Sequence, residues 1–122
     1  MNHRSLMLGL LLAAATSSAS ALAETVKVEI PVREIELQID NAGTKAPMWT
    51  YGGTIPGPLV RVKEGDVVDF TLINDPANKN SHSMDFHAGR FDVLGEFEAI
   101  KPGERKNFTW KAEHPGVWIY HC

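Results

Sequence analysis

From residue 25 onward the chain is punctuated about every ten residues by Gly, Pro, Asn or Asp, and the intervals hold short runs rich in Val, Ile, Phe, Trp and Thr. No interval keeps its apolar residues at helical spacing, so the chain must bury them on strands, in a β-sandwich or barrel. Val26, Val28, Ile30 and Val32 alternate on one face, and Ile35, Leu37 and Ile39 alternate on the opposite parity. That break predicts a bulge between residues 31 and 34, and Pro31, which has no ladder donor, predicts an edge strand. Further strands are expected over residues 48–51, 59–62, 67–73, 82–88, 105–111 and 117–122, about seven in all. "NDPANKNS" reads as a loop, residues 89–98 as irregular and "KPGE" as a turn. No repeat, low-complexity segment or interdomain linker interrupts the pattern.

The first 23 residues stand apart. A basic start ending at Arg4, an apolar stretch over residues 6–15 and the small-residue site Ala21-Leu22-Ala23 have the form of a signal peptide. The expected mature chain covers residues 24–122, enough for one small domain, in the periplasm or otherwise exported. The apolar stretch is too short to span a bilayer and no second one follows, so no membrane span is expected. Across the whole sequence 15 acidic residues outweigh 12 basic ones, and losing Arg4 makes the balance more negative, which argues against a nucleic-acid partner. A single cysteine, Cys122, cannot form an internal disulfide. In an oxidising compartment it pairs with another chain, stays free or holds a metal.

Four metal-capable residues lie in the two late apolar strands, and their parity is informative. In "HSMDFHA" His82 shares a face with Met84 and Phe86, while Asp85 and His87 share the other. In "VWIYHC" Cys122 goes with Trp118 and Tyr120, and His121 with Val117 and Ile119. If these strands are neighbours, His82 meets Cys122 on one side and His87 meets His121 on the other, making two sites back to back. Thiolate with imidazole suits copper or zinc, and an imidazole site with an open position suits reaction at a metal. The plainer reading stays open at this point. A lone strand histidine is usually a hydrogen-bonded residue, a lone cysteine usually a small hydrophobe, and Asp85 a solvated acid. Met84 reads as packing, His114 as an exposed turn residue, and "GTIPGPLVRVKEGD" as architecture without catalytic side chains.

"GTIPGPLVRVKEGDVVDFTLIN", "SHSMDFHA" and "HPGVWIYHC" together resemble the N-terminal cupredoxin domain of copper-containing nitrite reductases and related two-domain multicopper oxidases, over residues 54–122. The resemblance implies an all-β, cupredoxin-like Greek-key sandwich over residues 24–122 with copper as cofactor. It implies that His82 and Cys122 serve a type 1 electron-transfer copper and that His87 and His121 serve a type 2 catalytic copper. Asp85 matches the acid that hydrogen-bonds nitrite and helps deliver protons. The implied reaction is reduction of nitrite to nitric oxide, with electrons from a periplasmic donor, in a homotrimer.

Members of the family continue past the cysteine through a loop bearing another histidine and a methionine, then a strand and a second domain. The resemblance therefore implies that this domain lacks its last loop and strand, that both copper sites are incomplete within it, and that the chain alone is inactive. The alternatives are a two-domain multicopper oxidase using oxygen, a single-domain cupredoxin electron carrier, and an inactive fragment.

Overall fold

The computed structural model describes residues 22–89, 95 and 97–122. The expected leader, apart from Leu22 and Ala23, and most of the stretch over residues 89–98 lie outside the described residues. Six strands are described: β1 (Thr25–Gln38), β2 (Lys45–Tyr51), β3 (Val67–Asn74), β4 (Asp85–Phe86), β5 (Arg105–Lys111) and β6 (Tyr120–His121). They form a four-stranded sheet in the order β2-β1-β3-β5 and a two-stranded ribbon, β4-β6.

β3 is central to the larger sheet and alternates without a break, burying Val68, Phe70, Leu72 and Asn74. Its antiparallel neighbour β5 brings Phe108 opposite Phe70 and Trp110 opposite Val68, so matching parity puts the large rings on one side. Phe86 of β4 closes the core from the ribbon, at 4.8 Å from the Phe70 ring and 5.6 Å from that of Trp110. Burying these aromatic and aliphatic side chains, at roughly 25 cal/mol per Å² of apolar surface, is the main force holding ribbon to sheet.

β1 explains its own parity break. Thr25 to Val32 pair with β3 in parallel, and Val32 to Gln38 pair with β2 antiparallel. Val32 belongs to both ladders, so the place expected to bulge is a handover between partners; Glu34 keeps the parity of Ile30 and Val32, while Ile35 and Leu37 on the opposite parity are only partly buried. Pro31 stands at that handover, at the end of the β3 ladder, where a missing donor costs little. β1 is thus an interior strand in the sheet order, not an edge, although each half has one partner.

Three expected strands are shorter than their apolar runs. Residues 59–62 join no ladder, and Leu59 is largely exposed. Of residues 82–88 only Asp85 and Phe86 pair as a strand, with His82 making an isolated bridge to Ile100. Of residues 117–122 only Tyr120 and His121 do so. The alternation of faces nonetheless persists from His82 to His87, because the backbone stays extended between the bridge and the ladder.

The loop "NDPANKNS" is a built connector. Buried Asn74 donates its amide to the carbonyls of Asn80 and Ile100, and buried Asn78 donates to Val32 O and Asn74 Oδ1. Asn78 Oδ1 in turn accepts the Glu34 N–H at 2.8 Å. Paired in this way, buried amides incur no desolvation penalty, and they pin the segment leading to His82 against β1.

Candidate metal centre

The ribbon positions one group of side chains. Asp85 and His121 are direct antiparallel partners, so their side chains leave on the same face. His87, two residues beyond Asp85, shares that face, and its N–H donates to Ile119 O at 3.1 Å, extending the ladder. The Nε2 atoms of His87 and His121 stand 2.9 Å apart, and Asp85 Oδ2 lies 3.7 and 3.8 Å from them. Among the described residues these three offer ligand atoms all within 4.8 Å of one another. Both imidazoles are about half exposed, 45% and 50%, so the cluster opens outward. His121 Nδ1 lies 3.1 Å from Cys122 O; donation to that carbonyl leaves Nε2 as the lone-pair nitrogen.

The other two candidate residues lie at different depths, with His82 inward and Cys122 exposed. His82 is 1% exposed, its Nε2 3.0 Å from Glu34 Oε1 and its ring edge-on to Trp49 at 4.9 Å. Glu34 also accepts from the backbone and side-chain nitrogens of Asn80. Desolvation raises its pKa, but the hydrogen bonds from His82 and Asn80 outweigh this and hold it down at about 2. Cys122 Sγ reaches Ser83, the neighbour of His82, at 3.5 Å from the backbone nitrogen and 3.7 Å from Oγ. Tyr51 donates its hydroxyl to Ser83 O at 2.6 Å. Burial, and next the charge and hydrogen bonding of Cys122, push the Tyr51 pKa far up, so the phenol stays protonated. Met84 is buried in the core and His114 is exposed in its turn, outside both groups.

The structure therefore brings Asp85, His87 and His121 into one cluster, and brings Cys122 to Ser83 at the end of the segment that carries His82. Sequence reasoning missed Glu34, Tyr51 and the asparagines behind them. Glu34 meets His82 across 48 positions, a contact created by the handover in β1, and no local pattern announces it. An apolar groove lined by Leu59, Val62, Trp110, Trp118 and Tyr120, with His114 as its one histidine, is separate from both groups.

A multicopper oxidase family profile matches residues 32–122. The chain is 38% identical over 100 residues to a copper-containing nitrite reductase of Alcaligenes faecalis, covering 81% of this chain and 27% of that protein. A copper-containing nitrite reductase of Cereibacter sphaeroides is 42% identical over 95 residues, covering 77% and 25%. Among solved structures, copper nitrite reductase from Nitrosomonas europaea superposes with a TM-score of 0.79 at 56% identity, over 80% of this chain and 34% of that one. A multicopper oxidase, mgLAC, matches at a TM-score of 0.70 and 23% identity, over 82% and 33%, a likeness of fold alone.

The chain belongs to the multicopper oxidase family, and its fold is an all-β, cupredoxin-like domain of copper oxidoreductases. Within that family it is similar to copper-containing nitrite reductases, of whose length it spans between a quarter and about a third.

The residues present fit copper. Two ligands about 2.0 to 2.1 Å from one tetrahedral ion stand roughly 3.3 Å apart, so nitrogens at 2.9 Å need to part by only a few tenths of an ångström. Imidazoles beside a carboxylate are a donor set that copper accepts, and a thiolate with imidazole is another; Cys122 Sγ lies at Ser83, the residue next to His82.

Proposed function

We propose that this chain is one domain of an exported copper nitrite reductase, which reduces nitrite to nitric oxide and water with one electron and two protons. The observation that carries the reading is the convergence of Asp85, His87 and His121 one peptide bond from Cys122. His87 and His121 would hold the type 2 copper and His82 and Cys122 the type 1 copper. The bound metal supplies the electron relay and a Lewis-acidic position for nitrite. Asp85, on the same face as the two imidazoles, would hydrogen-bond the substrate oxygen and carry a proton at Oδ2 to the oxygen that leaves as water. The peptide joining His121 to Cys122 is the covalent link between the two sites.

Copper-loaded protein made from the full reading frame is expected to consume nitrite and release nitric oxide. Asp85→Asn is expected to lower kcat roughly 10²- to 10⁴-fold with copper content unchanged. Oxygen-dependent phenol or metal oxidation without nitrite turnover would instead establish the second reading, a two-domain multicopper oxidase. That reading is favoured by the likeness to a solved multicopper oxidase at 26% identity and a TM-score of 0.71.

The same proposal includes a periplasmic electron donor, a homotrimer and cleavage after Ala23. Cleavage is supported by buried Asp66, whose Oδ1 accepts the Glu24 nitrogen at 3.0 Å and would meet an ammonium in a chain beginning there. The intact mass of exported protein tests it, and a mass that retains residues 1–23 refutes it.

A further inference from the structure

We propose that Glu34 is the positioning residue of the His82 imidazole: its Oε1 accepts the Nε2–H and so leaves Nδ1 as the unprotonated nitrogen available to a metal shared with Cys122. The inference rests on the reading of His82 and Cys122 as copper ligands.

A neutral imidazole has one N–H and one lone pair, and a metal takes the lone pair. Glu34 Oε1 lies 3.0 Å from Nε2, and a carboxylate at that distance needs a donor there. Ligation by His82 must then use Nδ1. The carboxylate cannot swing away cheaply, since the same Oε1 accepts from Asn80 N at 2.8 Å and Asn80 Nδ2 at 3.1 Å. Its backbone is tied through Asn78 to Asn74 in β3. The imidazole is equally fixed. The His82 backbone is bonded on both sides to Ile100, at 3.0 and 2.8 Å, and Trp49 packs against the ring. His121 shows the opposite arrangement, with Nδ1 at a backbone carbonyl and Nε2 in the open cluster. The two groups therefore present different nitrogens, each set by a different partner, and a partner that orients a metal-bound histidine typically accounts for 10- to 100-fold in metal affinity.

The test compares the wild-type protein with Glu34→Ala and Glu34→Gln. Long-range ¹H–¹⁵N spectra of the copper-free full chain should show His82 neutral and protonated at Nε2. Glu34→Gln, whose amide oxygen still accepts, should keep that tautomer, and Glu34→Ala should mix the two. In copper-loaded protein from the full reading frame, Glu34→Ala should weaken binding at the thiolate site about 10- to 100-fold and diminish the thiolate charge-transfer band. Glu34→Gln should retain the band with a raised reduction potential, because a neutral acceptor makes His82 a poorer donor to the oxidised metal. An imidazolium or an Nδ1–H tautomer in the wild type overturns the inference, as does unchanged affinity and band in Glu34→Ala. A wild type with the Nε2–H tautomer but no thiolate band overturns both, and locates the fault in the copper reading, not in the hydrogen bond.

Discussion

Asp66 shows how much a single side chain organises here. It is 3% exposed, and its two oxygens accept the backbone N–H groups of Glu24 and Lys63. Those bonds, Glu24 first and then Lys63, hold its pKa below the ordinary carboxylate value. A depressed folded-state pKa contributes stability that is present above the unfolded value, near pH 3.9, and is lost as pH falls through the folded one. Asp66→Asn should therefore lower the urea midpoint at neutral pH, with a smaller further loss as the pH falls below about 4 than wild type shows. Tyr51→Phe removes the hydroxyl bonded to Ser83 O. It should cost about 1 kcal/mol in denaturant melts and raise the rate at which a thiol reagent labels Cys122. At this scale parity in the sequence separated buried His82 from Asp85, His87 and His121, which share a face, because alternation is a property of the strand itself; Cys122 is exposed at Ser83. Glu34 was not legible, because its meeting with His82 depends on where β1 exchanges partners.

Strand lengths were the least legible feature of the elements. Residues 59–62 and 117–119 have strand composition, but a ladder also needs a partner at the right height, and composition says nothing of that. The turn-rich stretch before residue 59, by contrast, was read as architecture and is so in a specific way. A Cβ on Gly57 would stand 2.5 Å from Tyr120 Oη and 3.0 Å from Tyr51 Cβ, and Tyr120 donates to Pro58 O at 2.7 Å. Gly57→Ala should therefore push Tyr120, and with it β6, off its seat. The expected result is a stability loss of about 1–3 kcal/mol and weaker copper binding at His87 and His121, read by calorimetry with the Phe86 packing as the internal reference. Phe86→Ala, which removes the ring between sheet and ribbon, should cost about 3–5 kcal/mol.

For the molecule as a whole, the all-β class was legible because turn signals and alternation are local, and the two-sheet arrangement follows from having one apolar face per strand. The histidines of the two proposed metal groups sit at different depths within it, while Cys122 is exposed. His82 is buried, whereas His87 and His121 are half exposed on the outer face of the ribbon. Dialysis of copper-loaded protein against a mild chelator should strip the outer group first, abolishing turnover while the thiolate band persists; simultaneous loss of both would contradict this difference in depth. Val117, at 99% exposure, together with Trp118, Ile119 and Leu59, leaves an apolar strip beside the ribbon. No helix among the described residues is long and apolar enough to cross a membrane.

The pairing of Asp85 with His121 has a consequence for how such a chain can change over generations. If β6 slides one residue along β4, every side chain on it turns to the opposite face, so the imidazole leaves the face of Asp85 and the thiol turns away from Ser83 together. A single-codon insertion that shifts this register would damage both groups in one event, and no compensating change at either group alone would restore it. Substitutions can alter the two sites separately, but insertions and deletions near β6 bind them to a common fate.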